Sequence, residues 1–232
     1  MEYTIRPLPP FDFTKMLQRL LTTGKTSYAH IDLKQQLYRR YLQIGSKRVT
    51  LEVSSNGEIE KPVLTLRVPE KLNYNEQNTV VNQARRMFSI DTDLHHFYDH
   101  LAKDEILNQI VKPNYGLRLI LDASLFDSLI KAIISQQLSL AVAASLMERF
   151  LQLCAEQPVA APSAETSTES ALEHNLLPFP TPEQTAALDY EQLRRVGFSQ
   201  KKAEYIVDTA RLIVNGQLDL EGLRRKPLDE IM

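Results

Sequence analysis

Cysteine, tryptophan and glycine are scarce in this chain, and each scarcity narrows the kinds of protein it can be. The 232 residues contain one cysteine, no tryptophan and seven glycines. A single cysteine cannot form an internal disulfide, and Cys154 has no Cys or His neighbour at metal-ligand spacing, so we interpret it as a small buried hydrophobic residue. A glycine-rich phosphate loop, a G-x-S-x-G elbow and a metal-binding cysteine set are also absent from the sequence. The composition alone therefore identifies no enzyme class.

Long apolar runs and an excess of charge of one sign are missing as well. No uninterrupted apolar segment approaches the roughly 20 residues that a membrane helix needs. The N-terminus, with Glu2 and Arg6, lacks the apolar stretch of a signal peptide. A net charge of −2, with 24% charged and 43% hydrophobic residues, excludes a histone-like basic protein and wholesale disorder. We expect a globular, cytoplasmic protein of one large domain or two modest ones, with no membrane partner.

Alternating hydrophobic patterns are confined to the first third of the chain. They predict three strands, at residues 37–44, 49–53 and 63–68. Asn56 and Gly57 between the last two strands are typical of a hairpin turn, because both tolerate positive φ. Apolar residues at helical spacing from Phe13 to Leu21 predict an amphipathic helix ahead of the strands. These elements indicate an α+β domain, an antiparallel meander with one helix, over residues 1–75.

The rest of the chain, residues 76–232, shows helical patterns only and is predicted to be an all-helical domain. The first five helices are expected at 78–88, from a cap at Asp91 or Asp93 through Leu101, and at 103–111, 124–136 and 140–153, the last two nearly buried all round. Residues 155–180 are rich in Ala, Pro, Ser and Thr and predict a mobile surface loop. Capping residues then predict three more helices, after Thr181, Asp189 and Ser199.

A last helix is predicted to begin at Pro227, where proline occupies the first helical position. Only one turn follows, and one turn has no intrinsic stability. We therefore expect that the chain has been cut short at this point, and a natural frayed tail is the alternative.

The titratable residues offer few candidate sites by themselves. His96 and His100 lie at the i, i+4 spacing of two metal ligands, but no carboxylate completes an H-E-x-x-H pattern. Solvated or capping histidines, His95 included, are the alternative. Lys201 and Lys202, in the first turn of a helix, could meet a phosphate beside free backbone N–H groups or belong to a solvated helix face.

Six short segments in a fixed order carry more information than any single motif. They are Pro9–Phe13, Arg86–Asp91 with Asp93, Phe126–Ser139, Phe179–Glu183, Leu193–Ile206 and Gly216–Leu220. This succession, spanning nearly the whole chain, resembles the DNA-3-methyladenine glycosylase II family of the helix-hairpin-helix DNA glycosylase superfamily. The resemblance implies an α+β domain packed on an incomplete helical glycosylase domain. It further implies base-excision repair of alkylated purines such as 3-methyladenine, by a monomer that binds damaged double-stranded DNA and needs no metal or organic cofactor.

The resemblance also assigns roles to residues. Family members flip the damaged base out of the duplex and insert a wedge side chain from the turn after the Ala-Ile-Ile-x-Gln helix. Here that turn is Gln136, Gln137, Leu138 and Ser139, with Gln137 the first choice as wedge and Leu138 the second. The alternative is a simple interhelical turn. Arg19 stands where the family's N-terminal helix lends an aromatic side chain to the base pocket, which leaves the preferred base open.

Two parts of the family pattern, the glycine hairpin and the catalytic aspartate, are expected beyond Met232. No acid of this chain takes the catalytic role, because Asp189, Asp208, Asp219 and Asp229 lie at helix caps or polar faces. The 232 residues alone are therefore expected to be inactive. Two alternatives stay open: a glycosylase for oxidised or deaminated bases, and a non-catalytic helical module that binds DNA or protein.

Overall fold

Two compact units make up the computed structural model, which describes residues 1–22, 27–156, 176–223 and 226–230. The first unit comprises residues 1–25 and 29–123, and the second comprises residues 26–28 and 124–232. Strands occur in the first unit alone among the described residues. Together the two units confirm the predicted α+β class.

A five-stranded antiparallel sheet forms the base of the first unit. Its strands are β1 (Glu2–Ile5), β2 (His30–Asp32), β3 (Leu37–Ile44), β4 (Lys47–Ser55) and β5 (Leu64–Arg67), in the spatial order β1-β5-β4-β3-β2. The predicted meander is confirmed as β3, β4 and β5, with Tyr41 opposite Thr50 near the middle of the long β3–β4 pair. The two edge strands were not predicted, because strands of three and four residues are too short to show alternation.

Helix α1 (Phe13–Thr22) supplies the apolar face that covers this core and confirms the predicted N-terminal helix. Phe13 is buried, and its ring centroid lies 5.6 Å from that of Phe88. Tyr38 of β3 meets Phe88 edge-on at 5.4 Å. Each such buried aromatic side chain contributes on the order of 1.5–3 kcal/mol. The sheet and helix thus share one aromatic core.

Three more helices, α2 (Tyr74–Met87), α3 (His95–Leu101) and α4 (Glu105–Val111), also belong to the first unit, and a 3₁₀ turn (Lys112–Asn114) follows them. Helix α2 begins earlier than predicted because Asn73 and Glu76 form a capping box, each side chain accepting the other's backbone N–H. Helix α2 buries one side in the core of this unit. The predicted boundary at residue 75 therefore coincides with the change from strands to helices inside the first unit.

The second unit is helical throughout its described part. Its helices are α5 (Leu125–Ser135), α6 (Leu140–Ala155), α7 (Pro182–Ala186), α8 (Tyr190–Arg195), α9 (Gln200–Val214) and α10 (Leu220–Leu223). The caps predicted at Thr181, Asp189 and Ser199 are confirmed. In place of the predicted last helix stands a 3₁₀ turn, Leu228–Glu230, and the short α10 was not predicted. Over the described ranges, no helix combines the length and apolarity needed to cross a bilayer.

One apolar core joins the helices of the second unit. Phe150 and Phe198 contact each other at its centre, with ring centroids 6.4 Å apart. Cys154 is 2% exposed, which confirms its interpretation as a buried hydrophobic residue, and burial raises the pKa of its thiol to about 12. Phe179 is also buried, so the end of the segment predicted as a mobile loop belongs to the core. Most of that segment, residues 157–175, lies outside the described residues.

Candidate functional site

The turn between α5 and α6 is the candidate site. Helix α5 ends at Ser135, and Gln136 leaves the helix with φ −53° and ψ 130°. The Leu138 N–H donates to the Ser135 main-chain oxygen at 3.2 Å. Ser139 then caps α6, since its hydroxyl accepts from the Val142 N–H. Four residues thus reverse the chain between two well-formed helix ends.

Gln137 has an unusual backbone conformation at the tip of this turn. Its φ is +57°, in the left-handed region that favours glycine. A non-glycine residue in this region costs on the order of 1–2 kcal/mol. Its side chain is exposed. Residues held in strained conformations concentrate at binding sites, so the conformation marks Gln137 as a functional candidate.

Apolar side chains surround the tip and face solvent. Leu138 is 38% exposed, Leu140 68% and Val142 47%. Further along α6, Leu146 and Phe150 are buried. The prediction that α6 is nearly buried all round is therefore wrong, because its first turn projects beyond the core and only four of its 16 residues are buried. An exposed apolar patch of this kind is typical of a surface that meets a partner.

Lys202 holds the turn from the side. Its ammonium donates to the main-chain oxygens of Ile134, at 2.6 Å, and Gln136, at 2.9 Å. Burial lowers the pKa of the Lys202 ammonium. The neighbouring Lys201 is exposed. The structure thus separates the two lysines predicted to contact phosphate, because the Lys202 ammonium is occupied by carbonyl oxygens.

The start of α9 is brought beside the turn by the Gly197-Phe198-Ser199 sequence. Gly197 has φ +109°, and a Cβ at that position would lie 3.0 Å from Arg149 Nη1 and 3.3 Å from Leu146 Cδ2. Arg149 in turn donates to the Val196 main-chain oxygen at 3.1 Å. Only glycine allows this close approach to α6 together with the positive φ. This close packing of Gly197 against α6 sets the position of the first turn of α9, which carries Lys202.

A second set of contacts involving α5 was missed by sequence reasoning. Lys131 of α5 places its ammonium 4.0 Å from the centre of the Tyr28 ring. Tyr28 packs edge-on against Phe179 at 6.0 Å. The Leu177 N–H donates to the Ser27 main-chain oxygen at 2.6 Å. These partners are far apart in sequence, so no local pattern could have indicated the cluster.

The remaining candidates are not part of this turn. Arg19 is exposed on α1 of the first unit. His96 and His100 are exposed on α3, and the His95 ring contacts the Asp93 carboxylate at 2.7 Å. Hydrogen bonds from the His95 backbone and side chain lower the pKa of Asp93. Within the described residues, no group of three or more His, Cys, Asp and Glu side chains could hold a metal ion.

Three of the four acids excluded at the outset have hydrogen-bonding roles in the second unit. Asp189 caps α8, and Asp208 accepts a hydrogen bond from the Tyr190 hydroxyl at 2.6 Å. Asp219 accepts from the Gly222 N–H at 2.8 Å. The fourth, Asp229, is exposed in the last 3₁₀ turn. These positions agree with the structural roles expected for them.

Two family models match this chain and together span most of its length. Residues 4–121 match the AlkA N-terminal domain. Residues 130–229, which include the turn between α5 and α6, match the HhH-GPD superfamily base excision DNA repair protein. The boundary between the two matches falls close to the division between the two compact units at residue 123.

Two sequence relatives and one solved structure are also similar to this chain. The YfjP protein of Bacillus subtilis (strain 168), provisionally named a DNA-3-methyladenine glycosylase, is 34% identical over 157 residues, which cover 68% of this chain and 49% of that protein. DNA-3-methyladenine glycosylase of the same strain is 27% identical over 194 residues, 84% of this chain and 60% of that protein. The chain thus spans about half to three fifths of these relatives. The 3-methyladenine DNA-glycosylase of Archaeoglobus fulgidus shares the fold, with a TM-score of 0.66 and 22% identity over 90% of this chain and 66% of that one.

Proposed function

The chain belongs to the helix-hairpin-helix DNA glycosylase superfamily, and from that premise we propose that its protein acts in base-excision DNA repair, hydrolysing the N-glycosidic bond of alkylated purines such as 3-methyladenine. The observation that carries the proposal is the strained, exposed Gln137 at the tip of a short turn within the matched segment 130–229. The names of the two Bacillus relatives support alkylated rather than oxidised bases.

Gln137 is proposed as the wedge that fills the gap left by the flipped base. Its amide both donates and accepts hydrogen bonds, so it can pair with the widowed base on the opposite strand. Leu138 and Leu140, exposed beside it, would pack against the unstacked base pairs. Gln136 and Ser139 flank the wedge and shape the turn. The turn therefore combines a polar tip with an apolar rim, as insertion into a base stack requires.

Contacts to the DNA backbone are assigned to Lys201 rather than Lys202. The Lys201 side chain is exposed in the first turn of α9, where backbone N–H groups also favour an anion. A chain with net charge −2 can bind DNA through such local contacts. Arg19 stays the proposed contribution of α1 to the base pocket. We place the protein in the cytoplasm as a monomer that binds damaged double-stranded DNA.

Base flipping and base release are separable in this proposal. Stabilising the positive charge that develops on the sugar requires a carboxylate aimed into the base pocket. Asp189, Asp208 and Asp219 are instead used in the structural hydrogen bonds described above. From the family resemblance, we propose that the catalytic aspartate lies outside these 232 residues, so that the chain flips a base without releasing it.

A binding comparison tests the proposal with the chain as it stands. Duplexes of one sequence would carry 3-deaza-3-methyladenine, 8-oxoguanine or the undamaged base at the same position. We expect at least about tenfold tighter binding to the methylated analogue, or ~1.4 kcal/mol. Preference for 8-oxoguanine would favour the oxidised-base alternative, and equal affinity for all three would favour a non-catalytic module. Base release from dimethyl-sulfate-treated DNA by this chain would contradict the assigned place of the aspartate.

A further inference from the structure

The end of α5 and the start of α9 meet at Lys202, and the polarity of both helix ends bears on its role. Lys202 is the third residue of α9, in a first turn capped by Ser199. The helix dipole disfavours a positive charge at this end. The same ammonium lies against the last carbonyl groups of α5, where the dipole favours a positive charge. Its position is therefore explained by α5 rather than by α9.

The two carbonyl groups that Lys202 binds lie on either side of the helix end. Ile134 is in the last turn of α5, where main-chain oxygens lack intrahelical partners. Gln136 is already outside the helix, in the turn. One ammonium therefore bridges the helix end and the residue immediately before Gln137. A backbone held at both points has little freedom to relax the positive φ of Gln137.

We propose that Lys202 is a positioning residue for base flipping, which fixes the turn so that Gln137 is presented in its strained conformation before DNA is bound. This inference rests on the proposed function, because it assumes that Gln137 is the wedge. Preorganisation lowers the entropic cost of insertion, because the turn is already ordered in the free protein. Lys202 acts through Gln137 and need not touch DNA itself.

The first test needs no DNA and measures order in the turn directly. Lys202→Met keeps the aliphatic stem and removes the ammonium. We expect amide hydrogen exchange at Leu138, whose N–H donates to Ser135, to become at least about tenfold faster. Exchange at Val207, in the buried part of α9, should stay within about twofold and so report an intact core. Unchanged exchange at Leu138 with an intact core would overturn the inference.

The second test measures flipping, with 2-aminopurine fluorescence beside the damaged base and fluorescence anisotropy for binding. Lys202→Met should reduce the flipped fraction per bound complex about fivefold, while affinity for the undamaged duplex stays within about twofold. Lys202→Arg, which restores the donors, should recover at least half of the flipping. Lys201→Met is the matched control, and it should weaken binding without changing the flipped fraction.

The outcomes separate this inference from the proposed function. Loss of binding and flipping in parallel in Lys202→Met, as for a phosphate contact, would overturn the positioning role. An equal loss of flipping in Lys202→Met and Lys202→Arg would also overturn the positioning role. Absence of flipping by the unmodified chain would count against the proposed function, whereas the exchange measurement would still decide whether Lys202 orders the turn.

Discussion

Arg118 donates from Nη1 to the main-chain oxygen of Ser89 at 2.7 Å, from a side chain that is only 4% exposed. The same guanidinium donates to the main-chain oxygens of Leu8 and Pro10, at 2.7 and 3.2 Å, and lies over the Phe11 ring. Burial lowers the pKa of Arg118. One buried cation therefore joins the N-terminal segment of the first unit to the turn after α2.

Arg118→Met should destabilise the first unit by about 3 kcal/mol, because several buried carbonyl oxygens lose their donor at once. Urea denaturation followed by circular dichroism measures the change. Arg6→Met is the matched control, since Arg6 is exposed in the same unit, and should change stability by less than about 0.5 kcal/mol. Equal effects of the two substitutions would show that the Arg118 hydrogen bonds contribute little.

Cys154 should be unreactive in the folded protein. Its thiol is buried with a pKa raised to about 12, and the thiolate is the reactive form. Labelling with a thiol reagent at pH 8 should require urea. Because the pKa in the folded state lies above the ordinary 9.0, this thiol's contribution to stability is complete below pH 9 and decreases between pH 9 and 12. Rapid labelling without denaturant would contradict the assignment.

Gln137→Gly should raise stability and lower flipping together. Glycine adopts the φ of +57° without steric cost, and after its larger entropy in the unfolded state the net gain should be about 0.5–1 kcal/mol. Because glycine has no side chain, this variant has no wedge and should flip the base less. Thermal unfolding and 2-aminopurine fluorescence measure the two effects.

The companion variant Gln137→Ala keeps the backbone cost and should weaken flipping more than initial binding, because a wedge acts after encounter. The exposed turn residue Gln35 provides the control, and Gln35→Ala should change neither base flipping nor initial binding. Equal losses of flipping and binding in Gln137→Ala would refute the wedge assignment.

Binding to DNA should weaken as salt concentration rises, because contacts to phosphate release counterions. Removing one such contact lowers the slope of log affinity against log salt by about 1. We expect this reduction for Lys201→Met and little change for Lys202→Met, whose ammonium is bound to carbonyl oxygens. Titrations of an undamaged duplex at several salt concentrations measure both slopes, and equal reductions would show that both lysines contact phosphate.

Local chemistry made much of the second unit predictable from sequence. Thr181 and Gln184 form the predicted capping box because both partners lie within one helical turn. Likewise, the two apolar helices predicted at 124–136 and 140–153 correspond to α5 and α6, with a turn between them. In both cases the interactions that decide the structure are local.

Other features depend on contacts that form only in the folded chain. No local residue preference indicates the positive φ of Gln137, which lies in the turn between the ends of α5 and α6. The Lys202 ammonium reaches oxygens 66 and 68 residues away, and only the approach of α9 to α5 brings them together. Local sequence patterns likewise do not indicate strand β2, because its three residues form a strand only through pairing with β3.

The two edge strands of the sheet have a consequence for the protein's behaviour during synthesis and storage. β1 has four residues and β2 three, whereas the inner pair β3 and β4 have eight and nine. Short edges expose few unpaired N–H and C=O groups to another chain. We therefore expect little strand addition along β1 and β2, which limits edge-to-edge aggregation through those two strands at high concentration.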